Sequence, residues 1–119
     1  LLVVVNGVYG DRMRRMARAH GIAAEALTYD IFTPVAPADV ARALAAHPEI
    51  SHVALVHHET TSGLLNPVAD VMISGLRAAA VLRDDRLRTS VEELSLKDRS
   101  MKVRQAAIEA LKEMATASN

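Results

Sequence analysis

The sequence predicts an α/β fold: a three-stranded parallel half-sheet in β-α-β-α-β order, followed by two or three C-terminal helices. Three observations predict it. Apolar runs at Leu1–Val5 and Val53–Val56 have the length of buried strands bounded by turn formers. The stretches between the strand-like runs repeat apolar residues at helical spacing. Beyond Pro67 the strand-like runs stop and helical stripes take over.

Leu1 to Val5 is a continuous β-branched and aliphatic run, the pattern of a strand covered on both faces. Asn6-Gly7 breaks it. From Val8 or Tyr9 to His20, Met13, Met16, Ala17 and Ala19/His20 keep helical spacing, while Arg12, Arg14, Arg15 and Arg18 supply a wet side. Gly21 closes that helix as its C′ residue. Ile22 to Tyr29 reads as a second strand, and Thr33 to Pro37 as a loop. Pro37 opens a helix through Ala46 with Val40, Leu44 and alanines inward, and His47-Pro48 ends it, since the residue before proline leaves the helical region. Helical crossovers of this length join parallel strands, with right-handed connections the rule, so the result is a Rossmann-like half-sheet. Its loops at Asn6–Tyr9, Tyr29-Asp30 and His57–Gly63 then share one edge, where open α/β sheets bind ligands.

In the second half, Val68, Val71, Met72, Leu76, Ala79 and Ala80 form a stripe interrupted by Gly75. Asp84 to Thr89 reads as a polar bend. Ser90-Val91-Glu92-Glu93 reads as a capping box with Ser90 at the N-cap. A closing helix carries Met101, Val103, Ala107, Ile108, Leu111 and Met114 and is expected to fray over Thr116–Asn119. The 119 residues are read as a single domain, with 1–71 the α/β segment and 72–119 a helical extension.

Composition narrows the function. Half the residues are hydrophobic but only 3% are aromatic, so the core is aliphatic. Fourteen basic and fourteen acidic side chains cancel, leaving no field for nucleic acid or an anionic membrane and too few rings to stack bases. No cysteine is present, which removes thiolate catalysis and Cys-type zinc sites and is compatible with a cytoplasmic setting. The N-terminal apolar run is five residues, against about 20 needed to cross a bilayer. A first residue other than Met suggests a start inside a longer natural sequence.

The chemistry gathers in His57-His58-Glu59-Thr60-Thr61-Ser62-Gly63-Leu64-Leu65-Asn66-Pro67, between a strand and a helix. Asn66 reads as N-cap and Pro67 as first helical residue. The segment HHETTSGLLNP, taken with VVVNGVYGDRM at residues 3 to 13, resembles 2-aminoethylphosphonate–pyruvate aminotransferase, a class V, fold-type I family using pyridoxal phosphate. The resemblance runs from about Leu1 to Val71 and also takes in HPEISHV at residues 47 to 53. It implies amino transfer from 2-aminoethylphosphonate to pyruvate, giving phosphonoacetaldehyde and alanine, with dimers whose sites lie at the subunit boundary. It implies that Thr60 contacts the cofactor through its hydroxyl, with Thr61 beside it and Gly63 giving the turn room. Tyr9 and Glu59 are expected at the edge of the site.

The second half departs from that pattern. The pyridine-pairing Asp, the Schiff-base lysine and the phosphate turn of the family are not found. The only lysines, Lys97, Lys102 and Lys112, fall in the tail. The expectation is therefore no catalytic residue, no tight cofactor binding and no transamination by this chain alone. Small amine and keto-acid substrates enter only if the site is complete. The competing expectation is a non-catalytic interaction or homo-oligomerisation module, since the edges of so small a sheet need cover from the helices or a second copy.

Other readings are weaker. Thr60, Thr61 and Ser62 also suit the backbone needs of a strand-to-helix turn. His57 and Glu59 share a strand face, but two ligands make no metal site. Asn6-Gly7-Val8-Tyr9-Gly10 lacks dinucleotide-loop spacing, and no G-x-S-x-G elbow is present.

Overall fold

The computed structural model describes residues 1–116; the fraying expected at Ala117, Ser118 and Asn119 lies outside the described residues. The chain divides into two compact units, Leu1–Val68 and Ala69–Asn119.

The first unit is built on β1 (Leu2–Val5), α1 (Val8–Ala19), β2 (Glu25–Thr28), α2 (Pro37–Ala46) and β3 (Val53–Ala54). All three strands are parallel in the order β2-β1-β3, as the helical crossovers require. β1 is central and buried at every position, so its unbroken aliphatic run reports two covered faces. Val35, Val40, Leu44 and Ile50 are also buried.

Helix α1 ends as its sequence predicts. Gly21 adopts φ +68, its N–H donates to Arg18 O, and the N–H of Ile22 reaches back to Ala17 O. That is a Schellman closure with Gly21 in the left-handed region. It also explains why β2 starts later than the expected Ile22: residue 22 is still satisfying the helix end. Pro37 opens α2, and Ala46 is its last residue, as expected.

β3 is shorter than Val53–Val56, because the Val56 carbonyl is taken by the Asn66 side-chain amide (2.7 Å) rather than by a ladder partner. The expected loop at His57–Gly63 is instead a small hairpin, β4 (His58–Glu59) against antiparallel β5 (Leu64–Leu65). Its turn closes on the Glu59 carbonyl, which accepts from the N–H groups of Ser62 and Gly63. Gly63 has φ +75 and open space around its Cβ position. Its glycine is required by backbone conformation and not, as expected, by lack of room.

The second unit is helical: α3 (Val68–Leu82, its first residue at the unit boundary), a 3-10 turn (Asp85–Leu87), α4 (Arg88–Lys97) and α5 (Met101–Ala115). Its core joins Leu76, Ala79 and Ala80 of α3 to Val91 of α4 and Val103, Ala107 and Ala110 of α5. The Ser90 capping box is not used. Asp84 caps instead, accepting from Arg86 N, and the 3-10 turn runs directly into α4, which leaves Ser90 inside the helix. α5 is capped by Ser100, whose hydroxyl accepts from Val103 N at 3.4 Å. Its buried stripe is Val103, Ala107, Ala110 and Met114; Met101 and Ile108 fall off that stripe and are exposed. No described helix is long and apolar enough to cross a membrane.

Candidate functional site

Parallel pairing places the segments after β1, β2 and β3 on one edge of the sheet. Two asparagines hold that edge together. Asn6, just past β1, donates from Nδ2 to Asn66 Oδ1 (2.8 Å) and to the Thr33 carbonyl (3.1 Å). Asn66 donates from Nδ2 to Asn6 Oδ1 (3.2 Å) and to the Val56 carbonyl, while its Oδ1 also accepts from Val35 N (3.0 Å). The backbone N–H of Asn66 closes the hairpin base on His57 O. Asn66 is therefore not the cap of α3 that its place before Pro67 suggests. Its amide is spent on three loops, and α3 starts only at Val68.

The hairpin tip is tied to α1 by Glu59, which is fully buried. Its carboxylate accepts from Tyr9 N (3.2 Å) and from the Thr61 hydroxyl (2.7 Å). Gly7 makes room: a Cβ there would lie 2.3 Å from Glu59 Cγ, Cδ and Oε2. Since Gly7 is the N-cap of α1 and has no side chain, the carboxylate supplies the negative group that the helix end favours. Asp11 in the same first turn adds another. Hydrogen bonding from Arg14, helped by the charge of Arg15, holds its carboxyl below the usual carboxylate range.

The residues singled out from the sequence separate into two groups. Thr61 and Glu59 bond to each other, so the Thr61 hydroxyl is engaged inside the protein and Glu59 lies beneath the edge instead of on it. Thr60 is exposed and borders an open hollow of about 540 Å³. Tyr9, Arg12, Met13 and Met16 of α1 form one side of it; Val56, His58 and Thr60 form the other. The hollow thus combines a phenol, a guanidinium, an imidazole and a hydroxyl with the apolar side chains of Met13, Met16 and Val56. Among the described residues, no three His, Asp or Glu side chains are gathered as metal ligands.

Sequence reasoning missed the Asn6–Asn66 pair and the internal partners of Glu59. The one available signal is Asn-Gly placed directly after the strand, in a loop expected at the ligand-binding edge, which does not announce an amide partner sixty residues away.

The hairpin and its turn lie within the part of the chain that has known relatives, since any 71-residue stretch of the 119 includes residues 49–71. The chain is 48% identical over 71 residues to 2-aminoethylphosphonate–pyruvate transaminase 2 of Burkholderia lata, covering 60% of this chain and 19% of that protein. The transaminase of the same name from Aeromonas hydrophila is 45% identical, and that of Phocaeicola vulgatus 44%, each over 71 residues, 60% of this chain and 19% and 20% of the relatives. All three share one enzyme name. The chain spans about a fifth of the length of the curated relatives it matches. No family model matches the chain.

Proposed function

We propose that residues 1–71 are a portion of the cofactor-binding domain of a 2-aminoethylphosphonate–pyruvate transaminase, presenting one wall of a pyridoxal-phosphate site. These 119 residues alone do not transaminate. The observation that carries this reading is the exposed Thr60, bordering with Tyr9 and Arg12 a hollow at the carboxyl edge of the sheet, in a chain that is 39–48% identical to these transaminases over 71 residues.

Residues 1–68 fit the non-covalent part of such a site. The Thr60 hydroxyl can hydrogen-bond a ring oxygen, the Tyr9 ring can pack on the ring, and Arg12 can face its negative charge. They do not fit the covalent part, because no lysine occurs before Lys97. Lys97, Lys102 and Lys112 lie exposed on α4 and α5, and Lys97 is paired with Glu93. When bound, the cofactor supplies an electron sink for amino transfer between a small amine and a keto acid. This chain's residues orient the group and shield one of its sides. A cytosolic homodimer completes the proposal, with a second copy covering an edge strand, β2 or β3.

The test is equilibrium binding of pyridoxal phosphate to the full chain, comparing wild type with Thr60→Ala. Weak saturable binding lost in the variant supports the reading; wild-type and variant curves that coincide overturn it.

A second reading, a non-catalytic interaction module, draws on the helical unit having its own core and leaving Leu96 and Met101 exposed. A change in oligomer mass on deleting residues 90–119 favours it.

A further inference from the structure

Glu59 is the only charged side chain buried among the described residues. Burying a carboxylate is strongly unfavourable unless donors meet it, and two do. One is the N–H of Tyr9, which lies in the first turn of α1 where amides have no intrahelical partner. The other is the hydroxyl of Thr61. Glu59 thus caps α1 from fifty residues away, and Gly7 keeps the approach open. The same two bonds grip both walls of the hollow: Tyr9 on the helix side, and Thr60 held between Glu59 and Thr61 on the hairpin side.

We infer that Glu59 is a positioning residue whose buried carboxylate sets where Tyr9 stands relative to Thr60. The inference rests on the reading of their hollow as a ligand-facing edge. Glu59 touches no ligand itself and acts through its two neighbours.

The experiment compares E59Q, E59A and T60A in the full chain by three readouts: amide exchange at Tyr9, the Thr60 amide resonance, and affinity for pyridoxal phosphate. In E59Q the carbonyl oxygen still accepts from Tyr9 N–H, and the amide donates to the Thr61 oxygen, so all three readouts stay near wild type. E59A speeds Tyr9 exchange and weakens affinity, each about tenfold, the size expected when a buried hydrogen bond is lost. It also shifts the Thr60 resonance. T60A weakens affinity and leaves Tyr9 exchange unchanged. If E59A fails to fold, T61V replaces it, with the Thr60 resonance shifted, affinity reduced and Tyr9 exchange retained. A folded E59A with lower thermal stability but wild-type affinity and Thr60 resonance overturns the inference and leaves Glu59 a helix cap only. Absence of binding by wild type overturns the ligand-edge reading instead. The resonance and exchange data then decide the positioning claim alone: rescue by E59Q upholds it, and no difference between E59Q and E59A ends it.

Discussion

Asn6 and Asn66, sixty residues apart, face each other as a reciprocal amide pair, each donating from Nδ2 to the other's Oδ1 at 2.8 and 3.2 Å. Their remaining bonds reach Thr33, Val35 and Val56, so one buried pair ties together the chain segments that follow all three strands of the sheet. Both amide protons of each Nδ2 find an acceptor, which is how two such polar groups sit in a core without penalty.

Asn66→Ala leaves the Val56 carbonyl, the Val35 N–H and half of Asn6 without partners. Each buried group stranded in this way costs about 1–3 kcal/mol, so we expect a loss of about 3 kcal/mol or more in urea unfolding. Asn66→Asp does not rescue it, since a carboxylate cannot donate to Val56 O. A loss below about 1 kcal/mol in either variant would contradict the network.

Gly7→Ala drives a Cβ into the Glu59 side chain, and overpacking of this kind costs about 1–3 kcal/mol. The obstacle is a side chain, so adding Glu59→Ala should recover part of the loss, a coupling measurable by double-mutant cycle. Gly10→Ala offers the contrast: its Cβ would meet Val4 O at 2.6 Å and Val5 Cα at 3.0 Å, both backbone. Glu59→Ala should not relieve it.

Ser90 and Ser100 separate a capping signal from a cap. Ser100→Ala should lose about 0.5–1 kcal/mol of thermal stability, toward the low end because the bond is long. Ser90→Ala, inside α4 and exposed, should be neutral or gain a few tenths of a kcal/mol from helix propensity.

Asp84 gives the helical unit an acid sensitivity. Its carboxyl is held below the ordinary value of 3.8, chiefly by the Arg86 side-chain hydrogen bond and further by the Arg86 N–H. A folded value below the unfolded one stabilises at higher pH, and that contribution is lost as pH falls through the lowered value. Asp84→Asn should therefore melt below wild type at neutral pH, with the difference vanishing in strong acid. A difference that persists there would exclude the ion pair as its source.

The first unit was legible in the sequence wherever the cause was local. The Val run of β1, Gly21 at the end of α1, and Pro37 and His47-Pro48 around α2 each act within a few residues, and each stands where it was expected. What could not be read depends on partners far along the chain. Glu59 resembles a site residue until Tyr9 N, fifty residues earlier, is seen beneath it. Asn66 has the profile of an N-cap, and only the fold shows its amide turned toward Asn6 instead. Ser90 failed for another reason: Asp84 starts the turn earlier, and a 3-10 turn that continues into α4 leaves no helix end for Ser90 to cap. The role of Thr60 rests on the resemblance and on the hollow it borders, and binding is what will judge it.

The most direct test of the account adds pyridoxal phosphate to the full chain, reduces with borohydride and maps modified lysines by mass spectrometry. The account predicts scattered, substoichiometric labelling of Lys97, Lys102 and Lys112, unaffected by Thr60→Ala. A single lysine labelled stoichiometrically, and weakened by Thr60→Ala, would contradict it and show a complete cofactor site in this chain.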